Sequence, residues 1–256
     1  SSIDERVQNS RPLAVGVPSS IQSSLLSRLD KIGPGKVIAQ VAAVVGREFE
    51  LSVVARVCAQ PPDIVETTLR RLVEAGLVMR QTSAGEPRYA FTHALLQEAA
   101  RESLLKERCR ELHAQVVRAI DSINPKLAED HPEVLAQHLA EAELFEEAAG
   151  RWLAAGRNTG RTWAKVEAAN MFANGLACLG RCPPSVERDR MELAIELERG
   201  DVLYATFGYV TGDGSTAYRN VIRLSEKLGD AEAPIRALDG LFGTAFNSGR
   251  FADAEW

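Results

Sequence analysis

The chain has 256 residues, of which 45% are hydrophobic and 25% are charged. This length exceeds that of an average domain and the apolar content is sufficient for folding, which excludes wholesale disorder and favours two compact units or an elongated array. No stretch approaches the roughly 20 apolar residues of a membrane helix, and the four cysteines form neither a disulfide framework nor a C-x-x-C pair. We therefore expect a cytoplasmic protein that has no membrane partner.

Charge is distributed unevenly along the chain, whose formal net charge is -5. Residues 1–130 carry 17 basic and 16 acidic side chains, a balance of +1, whereas residues 131–256 carry 13 and 19, a balance of -6. Nucleic-acid binders usually present a basic face, because neutralising phosphates supplies much of their affinity. The composition therefore disfavours a nucleic-acid partner. Because the chain starts at Ser1 and stops at Trp256 within a helix-like pattern, we expect it to be a fragment of a longer protein.

The first part of the chain predicts a connector followed by helices. Residues 1–17 lack periodicity and are expected to link to an upstream domain. Apolar residues at helical spacing then predict a helix that ends at Gly33 and three more over residues 36–45, 51–58 and 63–75. Asp63 and Glu66 have the spacing of a capping box at the start of the last of these.

Two short strands follow, over residues 77–81 and 88–92, because apolar and polar residues alternate in both segments. Gly85 and Pro87 lie between them and suit a hairpin loop. Three helices followed by a hairpin form the pattern of a winged-helix domain, which we predict over residues 18–105. Its helix-turn-helix pair is expected at 51–58 and 63–75, and the hairpin is its wing.

The rest of the chain is predicted to be helical. A connecting helix is expected over residues 106–130, followed by helices over 132–142, 145–158, 164–179, 186–206, 216–228 and 231–247. The segment 186–206 has apolar residues on two faces, as is typical of stacked helical hairpins. Segments 144–148 and 249–254 resemble the aromatic-x-x-alanine start of a tetratricopeptide repeat (TPR). Residues 131–256 are therefore predicted to form an α-solenoid of degenerate TPR-like hairpins, with a surface for a protein or small-molecule effector.

Residues 91–105 carry the sequence FTHALLQEAARESLL. Together with segments 17–30, 41–49 and 69–77, they resemble the winged-helix part of the signal-transduction ATPases with numerous domains. The similarity is to bacterial members linked to adenylate cyclases or transcription regulators, in which helical repeats also follow. The resemblance implies an upstream ATPase module that binds ATP or ADP, and in some members a nucleotide cyclase domain before it. It implies that this segment is not itself an enzyme and holds no cofactor, whereas its parent is a candidate adenylate cyclase.

His93 is the candidate nucleotide-sensing residue. In the family that the segment resembles, the matching histidine reaches from the winged helix to the phosphates of the nucleotide in the ATPase module. A strand-to-helix junction suits this role, because backbone N–H groups at the start of a helix favour a phosphate. The alternative interpretation is a surface histidine without a ligand.

A DNA-binding transcriptional regulator with an effector-sensing repeat domain is the alternative function. Arg70 and Arg71 on the predicted recognition helix, with Arg80 and Arg88 on the wing, could contact backbone phosphates. Acidic residues on the same elements favour a solvated charged face instead.

The remaining motifs predict no catalytic or metal site. The stretch Gly33-Pro34-Gly35-Lys36 lacks the spacing of a phosphate-binding loop and is expected to be a helix-breaking turn. Other histidines and cysteines lack metal-ligand spacing and are interpreted as structural; they are His113, His131, His138, Cys178 and Cys182.

Overall fold

The computed structural model describes residues 35–248, except 82–85, 163 and 208–211, together with Ser27 and Gly33. The protein is mainly α-helical and has a small three-stranded antiparallel sheet, which confirms the predicted class. Two compact units are present, Ser1–Leu105 and Lys106–Trp256. The predicted connector 1–17 and most of the helix expected to end at Gly33 lie outside the described residues. Within the described part, no helix combines the length and apolar character that crossing a bilayer requires.

The first unit alternates helices and short strands. Its elements are α1 (Gly35–Val45), β1 (Glu48–Glu50), α2 (Leu51–Cys58), α3 (Pro62–Glu74), β2 (Val78–Gln81), β3 (Arg88–Phe91) and α4 (Ala94–Glu102). The two predicted strands correspond to β2 and β3, and both β1 and β2 pair antiparallel with β3, giving the sheet order β1-β3-β2. The strand β1 was not predicted, because three residues are too short to show alternation.

Aromatic residues of the sheet form part of the core of the first unit. The ring of Phe49 on β1 stacks on Tyr89, with centroids 6.0 Å apart, and lies 5.7 Å from the ring of Phe91. Leu69 and Leu72 on α3 are fully buried, and α3 packs against α1, α2 and β2. Burial of these apolar side chains supplies the main favourable free energy of this small unit.

The start of α3 differs from the prediction. The helix begins at Pro62 with Pro61 as its N-cap residue, and no side chain caps it. Asp63 lies inside the first turn, so the capping box predicted from Asp63 and Glu66 is wrong. Proline suits the first helical position because its φ angle is fixed near the helical value and its missing N–H is not needed there.

The second unit consists of helices. They are α5 (Lys106–Ile123), α6 (Pro125–Asp130), α7 (Pro132–Glu141), α8 (Phe145–Gly160), α9 (Lys165–Leu179), α10 (Val186–Phe207), α11 (Gly212–Leu228) and α12 (Ala233–Ser248). The single connecting helix predicted over 106–130 is wrong, because the helix divides at Asn124. The side-chain oxygen of Asn124 accepts a hydrogen bond of 3.0 Å from the Leu127 N–H, and Pro125 starts α6.

From α7 onward each helix packs against the next, and α8, α10 and α12 also contact one another in turn. Two successive pairs, α8–α9 and α10–α11, repeat one packing detail. Gly156 on α8 lies against the ring of Phe172 on α9, and Gly200 on α10 lies against the ring of Tyr218 on α11. A glycine in each first helix therefore admits a buried aromatic ring from the second helix.

Candidate functional site

His93 lies at the junction between β3 and α4. It is the N-cap residue of α4 with an extended backbone (φ -136°, ψ 138°), and its exposed side chain makes no capping hydrogen bond. Its carbonyl oxygen accepts a hydrogen bond of 3.0 Å from the Leu96 N–H. His93 therefore carries an exposed imidazole on the residue that directly precedes the first-turn N–H groups of α4, and such groups favour an anion.

Long-range hydrogen bonds hold this junction in place. The Thr92 N–H donates to the Leu77 carbonyl at 3.1 Å, and the Thr92 hydroxyl lies 3.0 Å from the same oxygen. On α4, the side-chain amide of Gln97 donates to the Ala43 carbonyl at 3.1 Å. Sequence reasoning missed these supporting residues, because nothing in a local pattern indicates partners that lie 15 and 54 positions away.

The four arginines that are candidates for DNA contact differ in whether they form an ion pair. Arg70 and Arg71 on α3 and Arg80 on β2 are exposed. The guanidinium group of Arg88 on β3 pairs with the carboxylate of Glu50 on β1, with Nη2 2.5 Å and Nε 3.1 Å from one oxygen. Strand β1, which the sequence did not predict, therefore supplies the carboxylate that neutralises Arg88.

Arg70 and Arg80 both lie within electrostatic reach of the buried Tyr89. Burial raises the pKa of the Tyr89 hydroxyl, the carboxylate of Glu66 raises it further, and the two arginines lower it. Helix α3 and strand β2 thus place both cations and a carboxylate within electrostatic reach of Tyr89, a mixed environment rather than a purely basic one.

Two histidines meet in the second unit. The Nδ1 atoms of His113 on α5 and His138 on α7 are 2.8 Å apart, with ring centroids separated by 5.1 Å. Such a hydrogen bond requires one ring to donate and the other to accept at Nδ1. His131 instead lies 3.0 Å from the Glu133 carboxylate. No group of three metal-ligating side chains that could hold a metal ion occurs among the residues that the structure describes.

A row of carboxylates joins α10 to α11. Asp189, Glu192 and Glu196 are three and four residues apart on α10, so they share one face. Their partners on α11 are Lys227 (2.5 Å), Arg223 (3.4 Å) and Asn220 (2.7 Å), respectively. The Lys227 ammonium group lowers the pKa of Asp189, whereas burial raises the pKa of Glu196.

Two open cavities lie along α8, α10 and α12, and we call them together the inner groove. The first cavity, of about 490 Å³, lies between α8, α9 and α10 and is lined by charged residues; these are Arg157, Arg161, Lys165, Glu198 and Asp201. The second, of about 370 Å³, lies between α10, α11 and α12. Asp201 lines both cavities, so they adjoin.

Asp201 is fixed by two partners. The Tyr218 hydroxyl donates to one carboxylate oxygen at 3.0 Å, and the Arg236 guanidinium group lies 2.5 Å from the other. Burial, followed by the Asp201 charge, raises the pKa of Tyr218, so this phenol stays protonated and donates. The hydrogen-bonded contact of Asp201 with Tyr218 and Arg236 therefore lies at the boundary between the two cavities.

No protein-family model matches the chain, and no solved structure matches it. Among curated proteins, it is 26% identical over 213 residues to an uncharacterized protein of Rhizobium meliloti (strain 1021). The match covers 82% of this chain and 20% of the relative, so the chain spans about a fifth of the length of the curated relative that it matches.

Proposed function

We propose that this chain is a non-catalytic regulatory segment of a multidomain signal-transduction protein. Its first unit is a winged-helix domain that reports the nucleotide state of an ATPase module, and its second unit is a TPR-like helical array that binds a partner. The parent is a cytoplasmic ATPase linked to an adenylate or guanylate cyclase. The single observation that carries this proposal is the exposed His93 at the helix N-terminus, within the segment that resembles such ATPases.

The element order of the first unit supports the winged-helix assignment. Helix, strand, two helices and two strands, with the sheet order β1-β3-β2, follow the winged-helix arrangement. Helices α2 and α3 are joined by a tight turn in which Ala59 has a left-handed conformation (φ 51°). This pair is the helix-turn-helix of the domain, and β2 and β3 are its wing.

The glycine–aromatic contacts support a repeat array in the second unit. Gly156 and Gly200 are 44 positions apart, and their aromatic partners Phe172 and Tyr218 are 46 apart. A repeat of this length exceeds the 34 residues of a TPR. The spacing therefore supports stacked helical hairpins in general rather than a regular TPR, and each hairpin packs against the next.

The proposed mechanism of nucleotide sensing depends on His93. When ADP occupies the ATPase module, the imidazole and the first-turn N–H groups of α4 bind its phosphates and hold the winged helix in place. Exchange for ATP, or binding of a partner to the repeats, favours the released state and shifts the population of domain arrangements. The chain itself contributes contacts and no chemical step.

The test uses the parent protein with its ATPase module. His93→Ala should accelerate release of a fluorescent ADP analogue by about tenfold, the equivalent of one lost charge-assisted hydrogen bond, and should change the signalling output. His131→Ala is the matched control, because His131 is an exposed histidine of the other unit. Unchanged ADP release and unchanged output in His93→Ala would remove the sensor role.

DNA binding is the second candidate, favoured by the exposure of Arg70, Arg71 and Arg80. The ion pair between Arg88 and Glu50 and the carboxylate of Glu66 oppose it. A duplex titration at increasing salt separates the two functions, since phosphate-driven binding weakens steeply with ionic strength. Salt-sensitive binding that Arg70→Gln reduces would favour a DNA-binding regulator.

A further inference from the structure

We propose that Cys178 and Cys182 form a site of reversible oxidative modification, at which a hydroperoxide converts their two thiols into an intrachain disulfide. All four cysteines are free thiols in this structure, and the proposed function uses none of them. The inference therefore depends neither on His93 nor on a partner of the helical array.

The two thiols lie close together at the end of α9. Cys178 is the second-last residue of the helix, and Cys182 comes three residues after its end at Leu179. The Arg181 N–H donates to the Cys178 carbonyl at 2.9 Å. The Cys182 N–H donates to the Leu179 carbonyl at 3.0 Å, so the chain keeps turning past the end of the helix. The Cys182 thiol points back along this turn, because its Sγ atom donates to the Cys178 carbonyl oxygen at 3.6 Å.

The spacing of the two cysteines along this turn is compatible with a disulfide. A disulfide joins cysteines whose Cα atoms are about 4.4–6.8 Å apart, and four residues of helix rise by about 6 Å. Cys182 lies beyond the last helical residue, so the shift that brings its sulfur to Cys178 leaves the hydrogen bonds within α9 intact. Pro183 and Pro184 follow, and neither has an N–H group that could lose a hydrogen bond in this shift. The bridge therefore needs only a local movement of the turn.

The two thiols differ in their access to solvent. Cys178 is only 7% exposed, whereas Cys182 is half-buried. A peroxide therefore reaches Cys182 first, and Cys178 is placed to attack the oxidised sulfur. Burial raises the pKa of both thiols, and the Glu146 carboxylate raises the pKa of Cys182 further, an effect that Arg188 partly offsets. Because only the thiolate attacks, oxidation of the pair is slow at neutral pH.

The reaction with hydrogen peroxide takes place in two steps. The Cys182 thiolate attacks one peroxide oxygen, so that an S–O bond forms, the O–O bond breaks, and the leaving hydroxide takes up the thiol proton as water; the product is a sulfenic acid. The Cys178 thiolate then attacks the Cys182 sulfur, so that the S–S bond forms, the S–O bond breaks, and the second hydroxide leaves as water with the second thiol proton. Two thiols are oxidised to one disulfide, and one peroxide is reduced to two waters. The second step is intramolecular, which favours it over further oxidation of the sulfenic acid.

The turn that the disulfide would fix contacts both neighbouring helices. The guanidinium carbon of Arg181 lies 4.6 Å from the centroid of the Phe145 ring on α8. The Nε atom of Arg188 on α10 donates to the Leu179 carbonyl at 3.0 Å. Oxidation of the pair therefore acts where the ends of α8, α9 and α10 meet.

The experiment treats the full 256-residue chain with hydrogen peroxide, blocks the remaining thiols with iodoacetamide and digests the protein with trypsin without reductant. Trypsin cleaves after Arg181, so peptides 166–181 and 182–188 separate unless a disulfide joins them. Mass spectrometry should find the joined pair after oxidation and the separate peptides after dithiothreitol, and the count of free thiols should fall from four to two. Cys182→Ser should abolish the joined pair. Cys109→Ser, which removes a half-buried thiol of α5, is the matched control and should leave it unchanged.

Tryptophan emission gives a second measurement on the folded protein. The indole of Trp152 on α8 lies within hydrogen-bonding reach of the Cys178 sulfur. Because disulfides quench nearby tryptophans, oxidation should lower the emission and dithiothreitol should restore it. The Cys182→Ser variant should show no such reversible change.

Three results would overturn the proposal. The first is sulfinic or sulfonic acid at Cys182 while the two peptides remain separate. The second is a disulfide to Cys58, to Cys109 or to a second copy of the chain, the last seen as a dimer on a non-reducing gel. The third is an unchanged count of four free thiols after oxidation. No nucleotide enters this assay, so its failure leaves the proposed role of His93 standing.

Discussion

Replacement of Gly156 by alanine tests the packing of α8 against α9. A Cβ atom at this position would lie 2.6 Å from Cδ1 and 2.7 Å from Cζ of the Phe172 ring. That ring is only 1% exposed, so it cannot swing into solvent to relieve the clash. Overpacking of a core costs about 1–3 kcal/mol, and the better helix propensity of alanine returns about 0.5–1 kcal/mol. We expect Gly156→Ala to lower the free energy of unfolding by about 1–2 kcal/mol.

Gly160 provides the matched control in the same helix. Its added Cβ would lie 3.8 Å from the side chains of Ala168 and Val202, an ordinary van der Waals contact. Gly160→Ala should therefore be neutral or slightly stabilising. In the double variant Gly156→Ala with Phe172→Leu, the smaller side chain relieves the clash. The loss of unfolding free energy in the double variant should therefore be smaller than the sum of the losses in the two single variants.

The assay is urea unfolding followed by tryptophan fluorescence. All three tryptophans follow residue 106 in the sequence, and Trp152 is buried on α8, so the fluorescence signal reports the second unit. The midpoint and slope are compared among the variants, since a changed midpoint at constant slope indicates changed stability. Equal stability of Gly156→Ala and Gly160→Ala would refute the glycine–aromatic packing and, with it, the repeat that supports the solenoid.

Three further predictions concern the second unit. The Asp230 carboxylate accepts hydrogen bonds from backbone N–H groups at the start of α12, at 2.9 and 3.0 Å, and these lower its pKa. Asp230→Ala should therefore lower the urea midpoint at pH 7, and its difference from wild type should shrink in acid as the pH falls through that lowered pKa. His113→Phe should lower the urea midpoint at pH 7, because it removes the 2.8 Å hydrogen bond between the Nδ1 atoms of His113 and His138. Burial raises the pKa of the Cys178 thiol, so mass spectrometry should find Cys178 alkylated by iodoacetamide more slowly than the half-buried Cys109.

Most helices could be predicted because their signals are local. Segment 51–58 coincides with α2, and the predicted 186–206 differs from α10 by one residue, since apolar spacing and flanking prolines or glycines mark both. Strand β1 could not be predicted, because its existence depends on pairing with β3 and on the contact of Phe49 with Tyr89. The break at Asn124 was missed because helical spacing continues across it, although Asn-Pro is itself a local signal of a helix start.

The candidate sites were harder to predict than the helices, because they depend more on tertiary contacts. The place of His93 between a strand and a helix follows from local pattern, whereas the Gln97 contact with Ala43 that anchors α4 joins residues 54 positions apart. His113 and His138 were interpreted as structural from their spacing alone, and their direct contact is set by the packing of α5 against α7. Spacing in sequence cannot reveal a pair of side chains that different helices bring together.

The packing of α10, α11 and α12 is closely connected with the inner groove, because residues of these helices that pack together also line its second cavity. A Cβ atom on Gly240 would lie 2.8 Å from the Tyr218 hydroxyl oxygen, and that hydroxyl donates to Asp201 at the boundary between the cavities. Substitution of Gly240, Tyr218 or Asp201 would therefore change the packing of α10, α11 and α12 together with any binding. Arg161 is exposed and forms no ion pair within the described part of the chain, so its loss alters the charge of the groove and leaves the helix packing intact.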